Sequence, residues 1–525
     1  MATETFLFKN VRDEEYSGSV ETKPAEAQKS RPKYIEIDRS QGYFCQLMVD
    51  DLVGADHPAR MIWGIVGKLD LSAFESEVAS FEKQCGRAAW PPRLLVSVLA
   101  YGYTLGTGSA RELERMMEHE PGLRWLVAME KVNHHTLSDF RRQDLEKLKG
   151  IFTQVLALLA HEDGVDFQTL LQDGTKMRAQ AGSGSMHRRK TLAQHGQEAK
   201  GCVEELDRRA ETEASGQPRT KKEAAQQGAA RERLQRMEAA MKALESREKA
   251  AKPSEKDKVR VSETEPEVTK MKHPDGGFGP SYNLQLVTEA KHGFIVGWTL
   301  STAHNDPHQL RAGIAMATSC TGQAVKTIIA DGGYGYRHNI EAMAAANIEL
   351  VAPRLQDEKR QAGALAKAGI GAEYAAGKFK LAADEQTMQC PAGQTLVKIG
   401  AGTHHGLPVQ RYQAEAGVCA ACAHKVQCCP KREARLVERV VESEAIREHD
   451  RRMADPAIQE QYKKRKQIAE YPNLRIKWDW GMDRFRLRGR DKVTKEAFWM
   501  VLAFSMDRLY SLGRRLSRDI LPVAA

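Results

Sequence analysis

Two aspartates stand where a chain can turn away from a side chain that must face a ligand: Asp173 in LLQDGTKMRA and Asp331 in TIIADGGYGYRHN. Each follows an apolar run and precedes a glycine, the pattern of a strand end in an α/β sheet, where ligands are held. Two carboxylates brought together without partners repel and raise each other's pKa, and a divalent cation removes that cost. Taken singly, each aspartate reads first as a turn residue or helix cap; as a pair on strand ends they point to metal chemistry. A third acid stands out by its company. Glu470 is the one carboxylate in YKKRKQIAEYPNLRIK (462–477), a segment with six Lys or Arg. Locally it reads as the i,i+4 partner of Lys466, worth a few tenths of a kcal/mol. Asp306, in AHNDPHQL, reads first as the cap of a helix beginning at Pro307.

Cysteines make the other constellation, five of the nine falling between Cys390 and Cys429. Cys390 in MQCPAGQTL, then Cys419, Cys422 and Cys428 in CAACAHKVQCC, have spacings from which thiolates can close a tetrahedral zinc site, with Cys429 or His424 as substitutes for Cys428. Unligated thiols in a reducing compartment fit the same pattern.

The elements that must position these groups follow from periodicity. Residues 41–162 are helical in pattern: Pro91 and Pro92 suit a first turn, Ser109 with Glu112 forms a capping box, and HTLSDFRRQDLEKLKGIFTQVLALLA is a long amphipathic helix. Such a region suits a helix-turn-helix or a packed bundle alike. Short runs rich in β-branched residues follow at 167–174, 282–290, 293–301, 325–333 and 348–353, with HQLRAGIAMATSC and RHNIEAMAAAN as helices between the later ones. The order β, β, β, α, β, α, β describes a mixed α/β sheet with a meander of three strands and two strands fed by crossover helices. If strands one and four are neighbours, Asp173 and Asp331 approach each other. The expected layout is a loose tail over 1–40, the helical region over 41–162, core strands in 163–184 and 266–353, a charged helical hairpin without a core of its own over 185–265, a Cys-rich insertion over 354–450, and basic helices over 451–525.

Charge is distributed unevenly. From Arg451 onward there are 18 Lys+Arg and 9 Asp+Glu, so this part carries the chain's whole +9 and leaves 61 of each sign before it. A basic segment of this kind is the usual footprint for a phosphate backbone. The opening MATETFLFKNVRDEE lacks a cationic head followed by an apolar stretch, and LLVSVLAYGY and FWMVLAFSM are too short to span a bilayer, so a cytoplasmic location without membrane anchoring is expected.

DGTKMRA, YNLQ, IIADGGYG, and then Tyr462, Arg465, Glu470 and Lys477 resemble the DDE transposases of bacterial insertion sequences, in the branch marked by a tyrosine, arginine, glutamate and lysine signature. The resemblance runs from about residue 35 to 510. It implies an RNase H-like core and assigns Asp173, Asp331 and Glu470 as catalytic ligands of two Mg²⁺ (or Mn²⁺) ions. It implies Tyr462, Arg465 or Lys466, and Lys477 as DNA contacts. The partners implied are double-stranded DNA, as terminal inverted repeats and target, and further copies of the chain in a homodimer or higher oligomer. One spacing departs from the commonest signature: four residues rather than three separate Arg465 from Glu470. Lys466 is therefore an alternative for the basic position, and at 100° per residue it lies nearer the face of Glu470 and Lys477.

Overall fold

The computed structural model describes Ser40, Gly363 and residues 46–76, 88–160, 165–212, 220–354, 365–404 and 406–516. Apart from Ser40, the tail expected over 1–40 lies outside the described residues. Helices α1 (Pro58–Val66) and α2 (Pro92–Thr104) each open with proline in the first turn, where its missing N–H has no intrahelical partner to lose. α2 buries every residue from Leu94 to Tyr103, which makes it an interior helix rather than a surface one. α3 (Ala110–Met116), α4 (Pro121–Leu126) and α5 (His134–Arg141) pack against it, and α6 (Leu145–Ala160) follows. The hydroxyl of Ser109 accepts the Glu112 N–H at 3.3 Å and so caps α3.

The central sheet contains β1 (Thr169–Arg178), β2 (Thr269–Lys272), β3 (Phe278–Glu289), β4 (Ile295–Ser301), β5 (Thr327–Ala330) and β6 (Glu349–Val351). Its order is β2-β3-β1-β5-β6, with β4 also paired to β3. β1 runs antiparallel to β3 and parallel to β5, which is parallel to β6. Helices α9 (Leu310–Thr321) and α10 (Arg337–Ala345) supply the two crossovers, so the expected chain order of strands and helices is present, with one strand more than expected: β2, paired to β3 over Phe278–Ser281. One apolar core runs from the N-terminal helices through the sheet to the C-terminal helix: Trp298 of β4 meets Phe152 of α6 at 5.2 Å and Phe498 at 5.9 Å between ring centroids.

Between β1 and β2 the chain forms two long helices, α7 (Arg189–Thr212) and α8 (Lys221–Ala250), and a ribbon pairing Met186–His187 with Val261–Ser262. Contrary to expectation, this region has a small core: Leu192, Ala240, Leu244 and Val261 are buried together. Its anchors are spread over three elements, so no single stretch of sequence shows an apolar stripe. The Cys-rich region builds a sequential antiparallel sheet of β7 (Lys380–Leu381), β8 (Thr387–Gln389), β9 (Thr395–His404), β10 (Leu407–Ala414) and β11 (Leu436–Val440) around Phe379, Met388, Leu396, Tyr412 and Val437. Then come α11 (Glu444–Met453) and α12 (Pro456–Ala469). Tyr462, Ile468 and Ala469 of α12 pack on Leu171, Ile329 and Val351, one residue from each of β1, β5 and β6. A final helix, α13, spans Arg490–Leu516.

Candidate active site

The parallel ladder between β1 and β5 ends at the pair Gln172 and Ala330. Asp173 and Asp331 are the next residue on each side. Asp173 is not at a strand end, as expected, but in mid-strand, because β1 continues against β3 as far as the pair Arg178 and Ser281. What ends at Asp173 is one of its two neighbours, and its side chain shares the face of β1 on which Leu171 meets α12. Asp331 caps the single turn Gly332–Tyr334, its Oδ1 accepting the Gly333 N–H at 2.8 Å. The chain then passes so close to Pro353 that a Cβ on Gly335 would lie 1.9 Å from its carbonyl oxygen.

α12 delivers Glu470 to the same place. The helix stops at Ala469, and a new turn, Tyr471–Leu474, begins with Pro472 near its start, leading into a π-helical turn over Arg475–Asp479. Glu470 is the hinge between the two helical segments, where proline at the start of the second removes a backbone donor without breaking that segment. Asn473 and Lys477, four residues apart and hence on one face, tie the second segment to β1. Asn473 Nδ2 donates to Asp173 Oδ2 at 2.9 Å; Lys477 Nζ donates to Thr175 Oγ1 at 3.0 Å and to the Lys176 carbonyl at 2.9 Å. Arg475 holds the π turn through Asp507 (3.1 Å) and Asp479 (3.0 Å).

Electrostatics link the members. Burial pushes the Asp173 carboxyl up to about 7; Arg465 opposes the shift, while Asp331 and Glu470 add to it. Arg465 is half-buried with its guanidinium carbon 5.6 Å from the Tyr462 ring centroid, whereas Lys466 is exposed. The angular argument for Lys466 assumed one regular helix through Lys477, and the interruption at Glu470 removes that premise. Tyr462 itself is engaged in the apolar contact of α12 with the sheet. Burial lowers the Lys477 pKa.

The carboxylates suit a hard cation, and Asp173 carries the charge burden that a cation relieves. Among the described residues the three carboxylates do not all close to within 4.8 Å of one another.

The opposite face of β1 holds a polar network that sequence reasoning missed. Asp306 Oδ1 accepts from Lys176 Nζ (3.0 Å), Asn283 Nδ2 (2.7 Å) and Gln285 Nε2 (2.8 Å). Gln172 Nε2 and the Tyr334 hydroxyl both donate to Gln285 Oε1. Asp306 therefore does not cap a helix at Pro307; α9 starts at Leu310, preceded by Gln309. Gly174 is required beneath this network, since a Cβ there would lie 2.3 Å from Gln285 Nε2 and 2.7 Å from Asp306 Oδ1. The asparagine and glutamine in YNLQ were the available signal: polar residues two apart share one face of a strand.

Cys390, Cys419, Cys422, Cys428, Cys429 and His424 line one small cavity. Burial pushes the Cys428 thiol up to about 11, with Cys429, Cys390 and Cys419 adding to the shift against the pull of Arg435. Among the described residues no three of these thiols lie within 4.8 Å of one another, which falls short of a closed tetrahedral set.

Residues 389–510 match the family described as a transposase DDE domain, and residues 47–143 match one described as a transposase domain. The first match contains Tyr462, Arg465, Lys466, Glu470 and Lys477; Asp173 and Asp331 lie outside both. No curated protein and no solved structure shows significant similarity to the chain. Among the described residues no helix is long and apolar enough to cross a membrane.

Proposed function

Because those two domains make the chain a member of the insertion-sequence DDE transposases, we propose that Asp173, Asp331 and Glu470 are its catalytic acids, on an RNase H-like core of the tyrosine, arginine, glutamate and lysine branch. The observation that carries this reading is that Asp173 and Asp331 both follow the last pair of the β1–β5 ladder, while Asn473, three residues past Glu470, hydrogen-bonds Asp173. Two Mg²⁺ or Mn²⁺ ions held by these carboxylates would supply an activated water, a stabilised leaving oxygen and charge neutralisation at phosphorus.

The chain's own residues do the positioning. Asn473 fixes the orientation of the Asp173 carboxylate, and Lys477 holds the Glu470 segment against β1. Arg465 places a guanidinium beside the acids, where it meets a substrate phosphate; exposed Lys466 contacts the DNA backbone without reading sequence. In the first step a water oxygen bonds to phosphorus at each terminal inverted repeat, and the element's 3′ oxygen leaves and takes a proton. In the second, that 3′-hydroxyl bonds to a target phosphorus and expels the target's own 3′ oxygen. The two ends of an element call for a homodimer or higher oligomer.

The test is incubation of the purified chain with linear DNA carrying the element's ends, a target plasmid and Mg²⁺. Joined products are expected. Cleavage without joining would replace transposition by plain nuclease activity, and an active Glu470→Asn protein would overturn the site.

A further inference from the structure

A second group of metal-ligating side chains gathers at the base of the α7–α8 pair, away from the acidic cleft. His187 ends one strand of the short ribbon, Glu263 follows the other, and His195 lies on the second turn of α7. His195 Nδ1 is 2.7 Å from Glu263 Oε2, and His187 Nε2 is 3.7 Å from the same oxygen. One ligand atom from each residue lies within 4.8 Å of the other two. The imidazoles meet edge to face, at 78° and 5.1 Å between centroids, an aromatic contact that leaves the ring nitrogens free to face Glu263. Each side chain is about a quarter exposed, between 23% and 27%, which admits an ion from solvent.

A hydrogen-bonded His195–Glu263 pair accounts for two of these residues. It leaves the third with a ring contact but no hydrogen bond to the acid: at 3.7 Å, His187 Nε2 is beyond hydrogen-bond reach of a carboxylate oxygen that is already engaged. In a tetrahedral zinc site, with bonds of about 2.0–2.1 Å, neighbouring donor atoms sit roughly 3.3 Å apart. The observed separations bracket that value, so small side-chain rotations reach it. The backbone is already braced for such a site. Glu263 N–H donates to the Ser185 carbonyl at 3.0 Å, the Ser185 and Ser262 hydroxyls are 2.8 Å apart, and buried Leu192 and Val261 pack beneath.

We propose that His187, His195 and Glu263 bind a divalent transition metal of the zinc class, with water in the remaining position, and that the ion pins α7 to the ribbon at the base of the helix pair. Two imidazoles and one carboxylate favour zinc, cobalt or nickel over magnesium, so this site is chemically distinct from the acidic cleft and does not depend on the catalytic reading.

The experiment uses the full chain, stripped with chelator and reloaded with Zn²⁺ or Co²⁺, beside His187→Ala and His195→Ala. The wild type should bind one more zinc per chain than either variant, and Co²⁺ should give the wild type a visible d–d absorption in excess of that of both variants. Zinc held by the cysteines is common to all three proteins and drops out of the difference. Zn²⁺ should also slow amide exchange in 185–195 and 261–265 of the wild type alone. If an alanine variant does not fold, Glu263→Gln, which keeps an acceptor for His195, should lose the same zinc. Equal stoichiometry across the folded proteins, with unchanged exchange in both segments, overturns the proposal.

Discussion

Replacing Asp173 with asparagine separates the charge of the acidic cleft from its shape. Asn473 Nδ2 donates to Asp173 Oδ2 at 2.9 Å, and an amide oxygen at position 173 can accept the same bond. What disappears is the ionisation. Burial, with help from Asp331 and Glu470 and against Arg465, raises the Asp173 pKa from 3.8 to about 7. Between those two values the folded protein holds a proton that the unfolded chain has released. Stability therefore falls as pH rises through this window, and levels off above it, where both states are ionised. At ~1.36 kcal/mol per unit, the whole gap amounts to at most ~4 kcal/mol, of which about 2.5 kcal/mol develops between about pH 5 and about pH 8. Asp173→Asn lacks this burden. Urea unfolding without divalent metal should show the variant gaining ~1 to 2.5 kcal/mol on the wild type across that interval, and DNA cleavage should be lost. A stability difference that does not widen with pH would refute the placement of Asp173 in a buried acid cluster.

Three further outcomes follow from the same geometry. Saturating the wild type with Mg²⁺ at about pH 7 should release about half a proton per chain, and almost none at about pH 8.5, because ligands bind deprotonated; calorimetry in buffers of different protonation enthalpy measures this, and a release independent of pH would contradict the raised Asp173. Arg465→Ala should raise the Asp173 pKa further and cut strand cleavage roughly 10- to 100-fold, whereas Lys466→Ala should only weaken DNA binding slightly and reduce its salt dependence; equal effects in a cleavage assay would reverse the assignment of the basic position. Gly174→Ala should destabilise the protein by ~1–3 kcal/mol, since the new methyl group has to displace the Gln285–Asp306 contact; a thermal-denaturation midpoint equal to that of the wild type would show that the contact is dispensable.

Several features were legible in the sequence because they are local. TLLQD and TIIADGG carry strand propensity in a handful of adjacent residues, the second with a glycine stop, and the crossover helices are visible in their own periodicity. The charge excess after Arg451 and the lone Glu470 within it need no structure to be seen. Tertiary structure decided the rest. β1 runs on past Asp173 because β3, more than a hundred residues later, offers it a ladder as far as Ser281. Asp306 leaves the helix-cap role for a network with Lys176, Asn283 and Gln285, all brought there by strand pairing. Arg465 faces the acids because α12 stops at Glu470 and lies on Leu171, Ile329 and Val351. His187, His195 and Glu263 meet because a two-residue ribbon closes the base of two long helices. Residue type and near neighbours determine which segments form strands and helices and which side chains carry chemistry. Which of those side chains meet depends on long-range pairing and burial, which no short window of sequence contains.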